Sequence, residues 1–217
     1  LSYDLFRRFG TEKDVCVLPP LTKEGETLHL ESAARVMVQN IGQIEAAKEK
    51  IMCGGERLNV TNSETMKILS SIGMKRVTLS PELNLKEMKQ ITDHCAVPAE
   101  VIAYGRLSVM LLENCVIKNR TGTCTCQTGT VRLVDRVGEE FPVVKDPGTC
   151  RNVLLNGKKL YLLDKKDVFR GMGLWALRLQ FTTENPGEID KVLMDYQGRA
   201  VFDAGSYTRG LYSRGVE

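Results

Sequence analysis

Four short β-rich runs recur about twenty residues apart in the first half of the chain: "VMVQN" (36–40), "LNVTN" (58–62), "RVTLS" (76–80) and "EVIAYG" (100–105). Between them lie segments with helical spacing, "IGQIEAAKEKI", "SETMKILSSIG" and "PELNLKEMKQI", and "RLSVMLLENC" stands where the next helix falls due. Earlier, "VCVLPPL" reads as a strand cut short by Pro19 and Pro20, which have no N–H to give a ladder. This alternation constrains the fold more than any other feature. Parallel strands cannot be joined by tight turns, so each needs a crossover, and the crossovers are right-handed helices packed on the sheet. Within "SETMKILSSIG", Met66, Leu69 and Ile72 share a helix face, Ser63 stands at an N-cap position and Gly73 at a stop.

Polar residues gather where the runs end: Gln39 and Asn40, Asn59 and Asn62, Ser80 and Glu82, Tyr104 and Arg106. In a (β/α) barrel that edge carries the site, whereas in any α/β fold it also carries helix caps. Asn40, Asn62, Glu82 and Tyr104 are therefore substrate-binding candidates, with capping and loop roles as the competing explanation. Four or five βα units are too few for an eight-stranded barrel. The expectation is α/β: residues 1–114 as the later units of a partial TIM-like (β/α) barrel. The opening "LSYDLFRRFGTEKD" has no initiator methionine, no apolar leader and no clear first strand, which predicts a piece of a longer protein.

After Cys115 the grammar changes. A polar Gly/Thr-rich stretch is followed by the strand-like runs "VRLVDR", "EEFPVV", "RNVLLN" and "KKLYLLD" and by "KKDVFRGMG", a short helix. Next comes "LWALRLQFT", the strongest single strand, and then a helix from Pro186 to a stop at Gly198. This predicts a smaller, cysteine-bearing α+β domain over 115–217. No run approaches about 18 uncharged apolar residues, so no membrane helix is expected. Residues 1–114 carry 14 Lys and Arg against 15 Asp and Glu, and residues 115–217 carry 16 against 12. The positive excess in the second half fits an anionic partner or an ordinary solvated surface.

The chain has 7 cysteines, an odd number, and no secretion signal; a reducing cytoplasm is the expected location, where disulfides are disfavoured. Cys115, Cys124, Cys126 and Cys150 cluster. Four thiolates suit zinc or an iron–sulfur cluster, although the spacing is not that of a zinc ribbon. On spacing alone a metal centre, a redox thiol pair and ordinary free cysteines all stay open. Cys16, Cys53 and Cys95 read as core thiols, and His29 and His94 as loop or structural residues. There is no G-x-S-x-G, no H-E-x-x-H and no phosphate-cradling glycine loop.

Arg178 lies inside an apolar strand. Its two readings are an anion clamp for carboxylate or phosphate, and the solvent face of an alternating strand. Arg136 is a similar candidate, with Asp135 as its expected salt partner. Tyr207, Arg209, Tyr212 and Arg214 interleave rings and cations, which fits RNA contact by stacking or a tail docked on its own domain.

The ordered series "VQNIGQI", "LNVTNSETMKILSSIGMKRVTLSPELNL", "EVIAYGRLSVMLLENC", "LVDRVGEEFPV", "RNVLLNGKKLYLLD", "LRLQFTTE" and "YTRGLYSRGVE" resembles the collagenase-like peptidase family U32, in the subclass with a domain after the barrel. The resemblance covers nearly the whole chain from about residue 36. It implies a TIM-like barrel and a four-iron four-sulfur cluster on Cys115, Cys124, Cys126 and Cys150, with zinc as the alternative metal. It also implies kinship with oxygen-independent hydroxylation factors acting on transfer RNA, ribosomal RNA or the ubiquinone precursor, and the reading it favours is hydroxylation of a pyrimidine base of RNA, with prephenate as oxygen source. Arg136 and Arg178 would hold a carboxylate or phosphate. The family label implies the alternative, a hydrolase cleaving proteins or peptides. A non-catalytic subunit needing a partner chain is a third reading.

Overall fold

The structure is a computed structural model and describes residues 1–123, 131–145 and 151–214. In chain order its elements are α1 (Tyr3–Phe9), β1 (Val15–Val17), β2 (Arg35–Val38), α2 (Ile44–Ala47), β3 (Ile51–Gly54), α3 (Ser63–Ser71), β4 (Val77–Thr78), α4 (Leu85–Thr92), β5 (Ala99–Gly105) and β6 (Ser108–Leu112). They continue with α5 (Val116–Thr121), β7 (Val131–Val134), β8 (Glu140–Lys145), β9 (Asn152–Leu155), β10 (Lys159–Tyr161), α6 (Lys166–Arg170), β11 (Ala176–Gln180), α7 (Pro186–Tyr196) and β12 (Tyr207–Thr208). Two compact units result. One comprises Leu1–Ile102, Asp164–Arg178 and Arg209–Glu217, the other Ala103–Leu163 and Leu179–Thr208.

In the first unit β1, β2, β3, β4 and β5 are neighbours in sequence order and every pairing is parallel. A doubly wound sheet reverses its order at a switch point, and β1 to β5 show no such reversal. β11 pairs with β5. The strands are short and buried on both faces, so they read as apolar runs without alternation. Val36, Val38, Cys16, Cys53 and Val77 form their core, and Met66, Leu69, Met88 and Ile91 supply the buried faces of α3 and α4. Cys16 and Cys53 are core thiols as expected, while Cys95 is half-buried.

Three local expectations need correction. The second strand of the repeat is "IMCG", not "LNVTN": β3 starts at Ile51, the last residue of the segment read as a helix, and that helix shrinks to a 3-10 turn (Ile41–Gln43) and the four residues of α2. "LNVTN" contributes a single bridge, Val60 to Leu79. A four-residue strand directly after "AAKEK", with only its last three residues buried, carries too little pattern to interrupt a helical period. The segment after β5 is a strand, β6, rather than a helix. Last, the N-cap of α3 is Asn62, whose side chain accepts the Thr65 N–H, and Ser63 is the first helical residue. Gly73 does end that helix, at φ +96°, and Pro186 does open α7.

The second unit has two sheets. The end of β5 pairs antiparallel with β10, matching Tyr104 with Tyr161, and β10 pairs parallel with β12. A separate antiparallel sheet runs β6-β9-β8-β7. The rings of Phe181, Tyr104, Phe202, Tyr161 and Tyr207 pack in that order, with neighbouring centroids 5.3–6.4 Å apart. α7 is fixed at its start by a capping box between Asn185 and Glu188. No helix among the described residues is long and apolar enough to cross a membrane.

Candidate functional site

Arg178 is the hub of the first unit. Its guanidinium donates to Glu56 Oε2 at 3.1 Å and Thr78 Oγ1 at 2.8 Å, pairs with Glu100 Oε1, and lies 2.9 Å from Met37 Sδ. Met37 is on β2 and Arg178 on β11, four strand spacings away by way of β5. On a flat sheet that is about 19 Å, far beyond one side chain's reach. The sheet therefore curls until β11 faces β2, and Arg178 fills the concavity. Glu100 is buried and also accepts the Thr78 hydroxyl at 2.8 Å, while Arg76 Nε stands 3.9 Å from its other oxygen. The Arg76 guanidinium lies 4.4 Å from the Trp175 ring centroid, a cation–π stack. The solvent-face reading of Arg178 does not hold, because the side chain is only 18% exposed. It points inward, and its charge is matched by two carboxylates of the chain itself.

Burial pushes the Cys53 thiol up despite nearby Arg76, and burial pushes Cys16 to about 11. Both stay protonated near neutrality, which is the state of inert core thiols rather than nucleophiles. His29 and His94 are exposed; His29 stands 3.6 Å from Glu31, and His94 Nδ1 meets the Gln90 carbonyl at 3.0 Å.

In the second unit Tyr104 is fully buried and its hydroxyl donates to Glu184 Oε1 at 3.3 Å. Glu184 has no exposed side-chain surface. Its Oε2 accepts the N–H groups of Thr182 and Thr183, and Lys159 Nζ lies 3.1 Å from Oε1. Burial alone would raise this carboxyl, but the Thr182 N–H and the Lys159 ammonium outweigh it and hold the group below the usual carboxylate range. Burial, with Glu184 beside it, raises the Tyr104 phenol. Next to this cluster is a cavity of about 500 Å³ whose lining includes Arg106, Arg132, Lys159, Glu139, Glu140 and Glu188, three cations against three carboxylates.

Cys115 is the one proposed ligand within the described residues; Cys124, Cys126 and Cys150 lie outside them. It is the N-cap of α5, half-buried, and its Sγ accepts the Lys118 N–H at 3.5 Å. The next residue, Val116, donates its N–H to Asn152 Oδ1 at 2.9 Å. Two residues before Cys115, Glu113 accepts from Arg151 Nε at 3.1 Å. Leu112 and Asn152 are register partners, so the end of β6 and the start of β9 lie side by side. In the sequence, Cys150 is the residue before Arg151. Among the described residues no group of three His, Cys, Asp or Glu converges to hold a metal ion. The donor set of four thiols suits a soft metal, and its one described sulfur already accepts an N–H, the kind of contact that tunes iron–sulfur ligands.

The other candidates have structural duties or stand at the surface. Asn40 caps the 3-10 turn and its Nδ2 donates to the Pro20 carbonyl; the Gln43 amide grips the Gln39 N–H and the Pro19 carbonyl. Asn62 is a helix cap, and Glu82 is exposed. Arg136 is exposed too, but Asp135 accepts the N–H groups of Val137 and Glu139 within its own turn. The tail docks on the first unit: Arg209 pairs with Asp164, and Tyr212 packs edge-on against Phe169 at 5.9 Å. The sequence reading passed over Glu100, Thr78, Glu56, Arg151 and Asn152. The signal for Glu100 was there, a lone acid in the apolar run "AEVIAYG" matching the lone base in "ALRLQ".

A mostly parallel sheet with helices between its strands makes this a mixed α/β protein. Residues 18–204 match the model of peptidase family U32, and the chain belongs to that family. No curated protein and no solved structure matches it.

Proposed function

We propose that this chain is an iron–sulfur member of its family that serves the hydroxylation of an RNA base. Residues 1–114 would be the later part of a TIM-like barrel, with 115–217 carrying the cluster. The ligands would be Cys115, Cys124, Cys126 and Cys150. The observation that carries the reading is the corner at Cys115. There a buried asparagine and a buried arginine fasten the segment bearing Cys115 to the strand that follows Cys150 in the sequence. A four-iron four-sulfur cluster, when bound, supplies one-electron chemistry and exposed iron. The chain's own residues bind and orient. The excess of cations after Cys115 favours the phosphates of transfer or ribosomal RNA. Exposed Arg136 and Glu82 are the candidate substrate contacts, each on its own unit, whereas Asn40, Asn62, Tyr104 and Arg178 fasten the structure. A reducing, cytoplasmic setting goes with this reading.

Protein purified without oxygen should carry about four iron and four sulfide per chain, with broad absorbance near 400 nm. Nucleoside mass spectrometry of RNA from a deletion strain should show a missing hydroxylated base. Iron-free protein with unchanged RNA would sink the proposal. The second reading, peptide hydrolysis, has the family description in its favour. Peptide cleavage that survives replacement of all four clustered cysteines would establish it instead.

A further inference from the structure

We infer that Asn152, backed by the ion pair of Arg151 with Glu113, is a positioning residue for Cys115. The inference rests on the reading of Cys115 as a cluster ligand. Asn152, the first residue of β9, is 1% exposed, and Arg151, just before it, is 2% exposed, although both are polar. An arginine so buried is costly and persists only when paired. Its partner, Glu113, lies on the segment that ends at Cys115. Asn152 Oδ1 takes the Val116 N–H, and Nδ2 donates to the Arg151 carbonyl at 3.2 Å, so one amide ties both segments together.

The β8–β9 and β6–β9 ladders are already held by backbone pairing, and an apolar pair of similar size would fill the corner without the desolvation cost. What the polar corner adds is a fixed backbone direction on either side of Cys115. The thiol is then held at the N-cap before any ligand arrives. Groups that orient a ligand from behind are typically worth about 10- to 100-fold in metal affinity.

The test uses the whole chain and two readouts. Alkylation of Cys115 by iodoacetamide in iron-free protein, followed by peptide mass spectrometry, reports how the thiol is held. Iron per chain and the visible spectrum after anaerobic reconstitution report ligation. Asn152→Ala should raise Cys115 alkylation several-fold and weaken iron retention by about 10- to 100-fold. Asn152→Asp, which keeps the acceptor for Val116 but loses the donor to the Arg151 carbonyl, should fall between wild type and Asn152→Ala in both. If Asn152→Ala does not fold, Glu113→Gln, at a half-exposed position, reads the same corner. Wild-type alkylation and wild-type iron retention in the variants would overturn the inference. A wild-type chain that takes up no iron overturns the cluster reading alone, and the alkylation rates still decide whether Asn152 positions Cys115.

Discussion

Arg178 and Glu100, 78 residues apart in the chain, form an ion pair in which the glutamate side chain is 5% exposed and the arginine 18% exposed. The partners come from neighbouring strands, β11 and β5. Thr78 and Glu56 complete the arginine's contacts, and Thr78 also serves the glutamate.

Arg178→Met should therefore destabilise the chain by about 3–5 kcal/mol, because it leaves Glu100 buried with only the distant Arg76 as counter-charge. Arg178→Lys should recover little, since one ammonium cannot reach Glu56, Glu100 and Thr78 as a planar fork does. The double variant with Glu100→Gln should be more stable than Arg178→Met alone. Urea titration at neutral pH reads all three.

Gly105 sits at φ +123°, and a Cβ there would strike the Gln180 carbonyl. Gly105→Ala should cost about 1–3 kcal/mol from backbone strain alone, and the collision adds to it. Gly73, at φ +96°, has only the Met52 methyl within 4 Å, at 3.6 Å. Gly73→Ala should cost about 1 kcal/mol. Equal losses at the two positions in thermal unfolding would contradict this assignment of causes.

Glu184 is held below its ordinary range when folded, so the unfolded chain binds its proton more readily. Its contribution is fully present above the unfolded carboxyl value of 4.5 and is lost as pH falls through the lower, folded value. Wild-type melting temperature should drop as the solution is taken below about pH 4.5. In Glu184→Gln the drop should be smaller and the neutral-pH value already reduced. A wild-type slope in the variant would remove Glu184 from the acid response.

Cysteine replacements should separate into two groups. Cys115→Ser should lower iron per chain under anaerobic purification, with secondary structure retained. Cys16→Ala and Cys53→Ala, at thiols that burial keeps protonated, should leave iron unchanged and shift only thermal stability. Iron loss from all three alike would point to general unfolding instead.

The βα rhythm was readable because each strand is an apolar run and each crossover brings its own caps. Gly73, Pro186 and Gly198 mark helix ends by local chemistry that needs no tertiary context, whereas the cap of α3 falls on Asn62, one residue before the Ser63 that the sequence suggested. β3 was hidden because four residues, three of them buried, right after a lysine-rich turn carry no period of their own. β6 was hidden because "SVMLL" suits either period, and only its pairing with β9 decides it. The charge cluster was half visible. A lone Arg178 in an apolar strand announced a buried partner, but which acid it meets depends on how the sheet curls. Asn152 and Arg151 gave no signal, since their role exists only across the β6–β9 register.

The pairing of Glu100 with Arg178 also sets an order of events during synthesis. At about 5–20 residues per second, roughly 4–16 s separate the emergence of the two residues from the ribosome. Through that interval β5 has no β11 beside it, and the carboxylate destined for the interior has only Arg76 and Thr78 for company. The nascent first unit has to stay open to water at this strand until residue 178 arrives. A ribosome stalled anywhere between the two leaves a product whose sheet exposes an acid that it was built to hide.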